Sequence, residues 1–190
     1  MGIVGEPSLT FNDDLKFSQS KEGSLDRIYS LYFENTNSIN KIDRISDMNR
    51  QRHGIDTEII LASGEKVVIQ EKWRRRKFEG DFLIECCSVW RYPSCRNPGW
   101  IYTVDADYIF TVYEQSGIVK IYPVVQLKLA WSNNKDKWLK DDRYKKIYVE
   151  NKQRNFKDDY DTLSVVIPCE ELEREITKVM KFEYQQKLDI

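Results

Sequence analysis

The chain has 190 residues, with 30 Lys and Arg against 31 Asp and Glu, so its formal net charge is -1. That balance argues against a histone-like or tail-driven polyanion binder. Gly and Pro are too sparse for collagen-like or low-complexity classes, and an aromatic share of 13% supplies enough large apolar surface for a folded core. The one histidine, His53, excludes a zinc hydrolase with several His ligands and a nuclease built on a His pair. The four cysteines (Cys86, Cys87, Cys95, Cys169) lack C-x-x-C spacing, so they read as reduced thiols of a cytoplasmic core. Met1 to Phe11 shows no secretory leader and no stretch is apolar enough to span a membrane, so a soluble intracellular protein is expected.

In chain order, residues 1–23 read as an irregular arm and residues 24–190 as one domain. Ser24 predicts a helix cap, followed by a helical stripe of Leu25, Ile28, Tyr29, Tyr32 and Phe33. Residues 38–54 read as a polar connector. Ile55–Leu61 and Lys66–Trp73 read as a hairpin turning at Ala62–Glu65, and Phe82–Trp90 as a third strand buried on both faces. Tyr92–Trp100, with Pro93, Pro98 and Gly99, reads as a loop. Ala106–Tyr113 and Ile118–Tyr122 read as strands around a Ser116-Gly117 turn. A helix follows Pro123 and runs to Asn133-Asn134. Residues 135–160 are charged and weakly periodic. Leu163–Ile167 is a short strand, and a last helix begins at Pro168.

The chemistry concentrates in the hairpin. With a two-residue period, Asp56 and Glu58 share a face of the first strand, and Gln70 and Lys72 a face of the second. A turn at Ser63-Gly64 brings Asp56, Gln70 and Lys72 toward one end of the sheet. Hard cations take such oxygen ligands, and a lysine beside one can orient a water and neutralise charge developing on phosphate. Gly54-Ile55-Asp56 followed by Ile69-Gln70-Glu71-Lys72 resembles the core of the PD-(D/E)XK nuclease superfamily, whose motif is an Asp, a variable gap, then an acid, any residue and a Lys. The resemblance implies an α/β restriction-endonuclease-like fold, a central mixed sheet flanked by helices. It also implies hydrolysis of nucleic-acid phosphodiester bonds, DNA foremost, with Mg²⁺ (or Mn²⁺) as cofactor. It makes Asp56 a metal ligand, puts Gln70 where the family usually has an acid, makes the Glu71 backbone carbonyl a third ligand, and makes Lys72 the catalytic lysine. Glu58, Glu85 and Asp107 are the candidate supporting acids.

Arg74, Arg75, Arg76 and Lys77 follow at once, so that with Lys72 five basic residues fall in a six-residue window. Residues 128–157 hold ten Lys and Arg against four Asp and Glu, a net of +6, interleaved with Trp138, Tyr144 and Tyr148. Lys145 and Lys146 lie in this second region. Cations with aromatics suit nucleic-acid contact, while a solvated face suits the same residues. A nuclease cutting both strands of a duplex would act as a homodimer. The alternative is a non-catalytic nucleic-acid-binding or protein-interaction module on the same fold.

Overall fold

The computed structural model describes residues 20–33, 38–74, 80–151, 160–177 and 179–183. Helix α1 (Glu22–Phe33) begins two residues before the expected Ser24 cap, inside the segment read as an arm. It buries Leu25, Ile28, Tyr29 and Phe33 against the inner residues of the first sheet, Ile59, Ile69, Phe110, Val112 and Ile121 among them. Each such side chain contributes roughly 1.5–3 kcal/mol.

The first sheet has the strand order β1-β2-β3-β6-β7-β10. Its strands are β1 (Ile39–Arg44), β2 (Thr57–Leu61), β3 (Lys66–Arg74), β6 (Tyr108–Tyr113), β7 (Ile118–Pro123) and β10 (Met180–Glu183). β3 and β6 run parallel and all other neighbours antiparallel, so the sheet is mixed. β1 and the short helix α2 (Met48–Arg52) replace the expected connector. β1 is an edge strand with little alternation, which hides it in the sequence. Asp47 caps α2, its side chain accepting the Asn49 and Arg50 N–H groups at 2.7 and 3.0 Å, a cap worth about 1 kcal/mol. Gly64 (φ +85°) makes the β2–β3 turn.

The link from β3 to β6 carries β4 (Asp81–Arg91), β5 (Ser94–Pro98) and the single turn α3 (Trp100–Thr103). β4 does not extend the β2–β3 hairpin as a third strand. It joins a second, antiparallel sheet of order β5-β4-β9-β8, with β8 (Lys146–Asn151) and β9 (Tyr160–Pro168). Its Leu83 and Glu85 face away from the core and are only half-buried, so the strand is not covered on both sides. The expected loop at 92–100 forms β5, whose backbone pairs with β4. Helix α4 (Val124–Lys140) outruns its predicted end by two turns, because Trp138 is fully buried and holds its last turn on the core. The last helix, α5 (Cys169–Glu175), follows Pro168 as expected.

The fold is mixed α/β. α1 covers one face of the first sheet, and the second sheet with α4 and α5 packs on the other side through Phe82, Ile84, Ile109, Tyr122, Trp131 and Val165. The reading of four reduced cysteines is corrected at one pair. Cys87 and Cys95 form a disulfide across the β4–β5 hairpin, which brings their Cα atoms to 5.8 Å, while Cys86 and Cys169 are free and buried. No helix among the described residues is long and apolar enough to cross a membrane.

Candidate active site

The site grows out of the register of three strands. β2 and β3 pair Thr57 with Ile69 and Glu58 with Val68, and the Asp56 N–H continues the ladder to the Ile69 carbonyl at 3.0 Å. Asp56 therefore stands across from Gln70, on the same face, with Lys72 next along that face of β3. β6 adds Thr111 beside Lys72, and β7 adds Lys120 beside Thr111. The three residues predicted to carry the chemistry thus meet on one side of the sheet.

Burial sets the electrostatics there. Asp56 is desolvated, and its carboxyl is pushed up to about 6 even though it accepts the Glu71 N–H at 2.8 Å and feels the Lys72 charge. Lys72 is pushed down to about 8, again by desolvation first, with Asp56 and Glu85 acting to keep it charged and Arg74 opposing them. Its ammonium lies 4.5 Å from the centre of the Trp100 ring and forms no ion pair among the described residues. Gln70 is 7% exposed, and its side-chain oxygen is buried with no hydrogen-bond partner among the described residues. The Thr111 hydroxyl, in a residue 1% exposed, is in the same condition. Gly54 (φ +67°) closes the site from behind, since a Cβ there would come within 2.7 Å of the Gln70 amide nitrogen.

The remaining candidates divide. Glu85, on β4 of the second sheet, is close enough for its field to act on Lys72. Glu71 keeps only its backbone at the site. Its carboxylate points to the opposite face and accepts hydrogen bonds from Tyr29, Arg44 and Thr57. Glu58 is engaged in ion pairs with Arg50 at 2.9 Å and Lys66 at 3.0 Å. Asp107 is likewise already bonded. Its carboxylate accepts the Val68 N–H at 2.7 Å where β6 begins, and it lines a separate cavity with Tyr32 and Tyr108.

Of the basic candidates, Arg74 and Lys145 line one groove of about 210 Å³ together with Asp81, Leu83, Ile147 and Val166. This convergence of two distant basic segments follows from the packing of the two sheets and has no signal in sequence spacing. Lys146 faces elsewhere and donates to the Asp141 carbonyl at 2.5 Å. Arg75, Arg76 and Lys77 lie outside the described residues. Several cations of the +6 region already have partners within the chain. Lys128 donates to the Val104 carbonyl, Lys137 pairs with Glu171, Lys140 with Asp136 and Arg143 with Asp141.

For a divalent ion the donors are the Asp56 carboxylate and the unpartnered Gln70 oxygen, which suit a hard cation that keeps most of its waters. Among the described residues, no three of His, Cys, Asp and Glu stand together as a ligand set. No protein-family model, curated protein or solved structure matches the chain.

Proposed function

We propose that the protein is a nuclease that hydrolyses phosphodiester bonds of nucleic acid, DNA foremost, with Mg²⁺ or Mn²⁺ as cofactor, on a restriction-endonuclease-like fold. The observation that carries this reading is the meeting of Asp56, Gln70 and Lys72 on one face, with a buried Gln70 oxygen that has no partner. Asp56, Gln70 and the Glu71 carbonyl would hold the ion, which when bound supplies a nucleophilic hydroxide at neutral pH. Lys72 orients the attacking water and offsets the charge that grows on the phosphate oxygens. Its lowered pKa, about 8, leaves part of the population neutral near physiological pH and able to take a proton. Glu85 on the second sheet adds a negative field that helps keep Lys72 charged. The meander β1-β2-β3, preceded by α1, supports the fold resemblance.

The test is cleavage of DNA in Mg²⁺ or Mn²⁺ by the unaltered chain, Asp56→Ala and Lys72→Ala. Loss of about a hundredfold or more is expected in each variant. Equal cleavage by all three would remove the reading. Protonation of Asp56 competes with the ion, so activity should fall as pH drops through about 6. A non-catalytic nucleic-acid-binding module is the second reading, favoured by Gln70 in place of a second acid at the site. It predicts salt-dependent binding with no metal-dependent cleavage.

A further inference from the structure

A cavity of about 350 Å³ lies on the α1 side of the first sheet. It sits where α1 and β2 end and β3, β6 and β10 begin, and Tyr32, Leu61, Val67, Tyr108 and Met180 line it, one from each of these elements. Leu61 and Val67 belong to the core beneath α1. Val67 is an odd-numbered residue of β3, so it points to the opposite face from Gln70 and Lys72. The cavity is therefore separate from the candidate active site, and what it binds does not depend on the nuclease reading. Its volume falls at the small end of the roughly 300–1,000 Å³ typical of small-molecule sites.

Two kinds of group in the lining select the same ligand. The first is aromatic. The rings of Tyr32 and Tyr108 stand at 66° to one another with centroids 6.2 Å apart. Two rings at so steep an angle make a corner, the arrangement from which cages for ammonium ions are built, because each ring carries a negative face. The second is charge. Lys66, the one cation of the lining among the described residues, pairs with Glu58 at 3.0 Å. Glu65 and Asp107, the two acids of the lining, form no ion pair among the described residues. Asp107 accepts the Val68 N–H through one oxygen, and its carboxylate has no other partner among them. The lining thus joins two carboxylates to an aromatic corner over an apolar floor of Leu61 and Val67.

An anion would be repelled by both acids. A hard metal ion takes a larger set of oxygen donors, and no three of His, Cys, Asp and Glu stand together among the described residues. An uncharged ligand would use the rings and leave the acids idle. We propose that the cavity binds a small organic ammonium ion. Its cationic head lies in the corner of Tyr32 and Tyr108 beside Glu65 and Asp107, and its alkyl body rests on Leu61, Val67 and the half-exposed Met180. An ammonium carrying alkyl groups loses little on leaving water, which lets ring faces and carboxylates act together on it.

The experiment titrates the full chain with choline and follows backbone amide signals by NMR, with ionic strength held constant by NaCl. The uncharged isostere of choline, in which a tert-butyl group replaces the trimethylammonium, is titrated in parallel. Choline should shift the amides of Val67, Val68 and Tyr108 saturably, with a Kd of about 1 mM or below, and should bind at least about tenfold more tightly than the isostere. Tyr108→Leu keeps apolar bulk and removes the ring, and should weaken choline binding at least about threefold. Glu65 is exposed, so Glu65→Gln leaves the packing untouched and tests the charge without risk to the fold. It should weaken choline binding about twofold and leave the isostere unaffected. No saturable shift at these amides, equal binding of choline and its isostere, or variants that bind choline as the unaltered chain does would each overturn the proposal.

Discussion

Lys72 is costly to keep. Desolvation lowers its pKa from 10.5 to about 8, with only Asp56 and Glu85 acting in its favour. Between those values the unfolded chain holds a proton that the folded chain has released, so this residue makes stability rise with pH from about 8 to about 10.5. Below about 8 the full penalty is present. Lys72→Met should therefore stabilise the protein by about 2 kcal/mol at pH 7, allowing for partial solvent screening, while abolishing any metal-dependent cleavage. Urea denaturation at pH 7 and pH 10 checks both parts, since the gain should shrink at the higher pH. A variant that is less stable than the unaltered chain at pH 7 would mean that Lys72 is a structural partner in the fold. Stability given up at one residue is a common mark of a functional position. The sequence made Asp56 and Lys72 legible because period-two alternation and a tight turn fix which side chains share a face. It could not separate Glu58 from them, since Arg50 and Lys66 claim that acid only once α2 and the β2–β3 ladder are in place.

The β4–β5 hairpin is the element that brings Trp100 to Lys72. After β5 the chain passes so close to β4 that a Cβ on Gly99 would lie 2.2 Å from the Glu85 carbonyl oxygen and 2.7 Å from the Cys86 carbonyl carbon. Both contacts are with backbone, which cannot step aside as a flexible side chain can. Gly99→Ala should cost about 3 kcal/mol and lower Tm by roughly 6–12 °C, measured by thermal unfolding. A shift under about 2 °C would show that the hairpin yields easily. This element was opaque in the sequence. Pro93, Pro98 and Gly99 are turn-forming residues, and they outweighed the weak pairing signal of a five-residue edge strand. The helices α1 and α5 were clearer, because an apolar stripe and a proline at the first turn act locally. β1 and β8 were hidden for the same reason as β5. Edge strands bury little on either side and carry no clean alternation.

At the scale of the molecule, Glu171 on α5 ties α4 to the loop before β8. One of its oxygens accepts from Lys137 and Trp138 on α4 and from Tyr144 in the loop before β8, at 2.5, 3.2 and 2.6 Å. Burial opposes the charge, but these hydrogen bonds outweigh it and hold the carboxyl near 2. The stability this gives is present above the ordinary carboxyl value, 4.5, and is lost as pH falls toward 2. Glu171→Gln should thus destabilise by about 1–2 kcal/mol at pH 7, with the difference from the unaltered chain closing between pH 4.5 and pH 2. Guanidinium titrations across that range measure it, and a difference that does not vary with pH would assign the loss to packing. The division of the molecule into two sheets was the least legible feature. An apolar strand such as β4 reads the same whether it continues one sheet or founds another, and only long-range pairing with β9 decides.

Glu71 belongs to both halves of that architecture. Its carboxylate is bound into a polar cluster with Tyr29, Arg44 and Thr57 under α1, while its amide holds Asp56 on the far side of the sheet. The amide is common to every residue except proline, so the claim that the site makes on this position is independent of the side chain. Variation at Glu71 is therefore answerable to the α1 layer alone, and the two faces of β3 can change at different rates, one under the demands of chemistry and the other under those of packing.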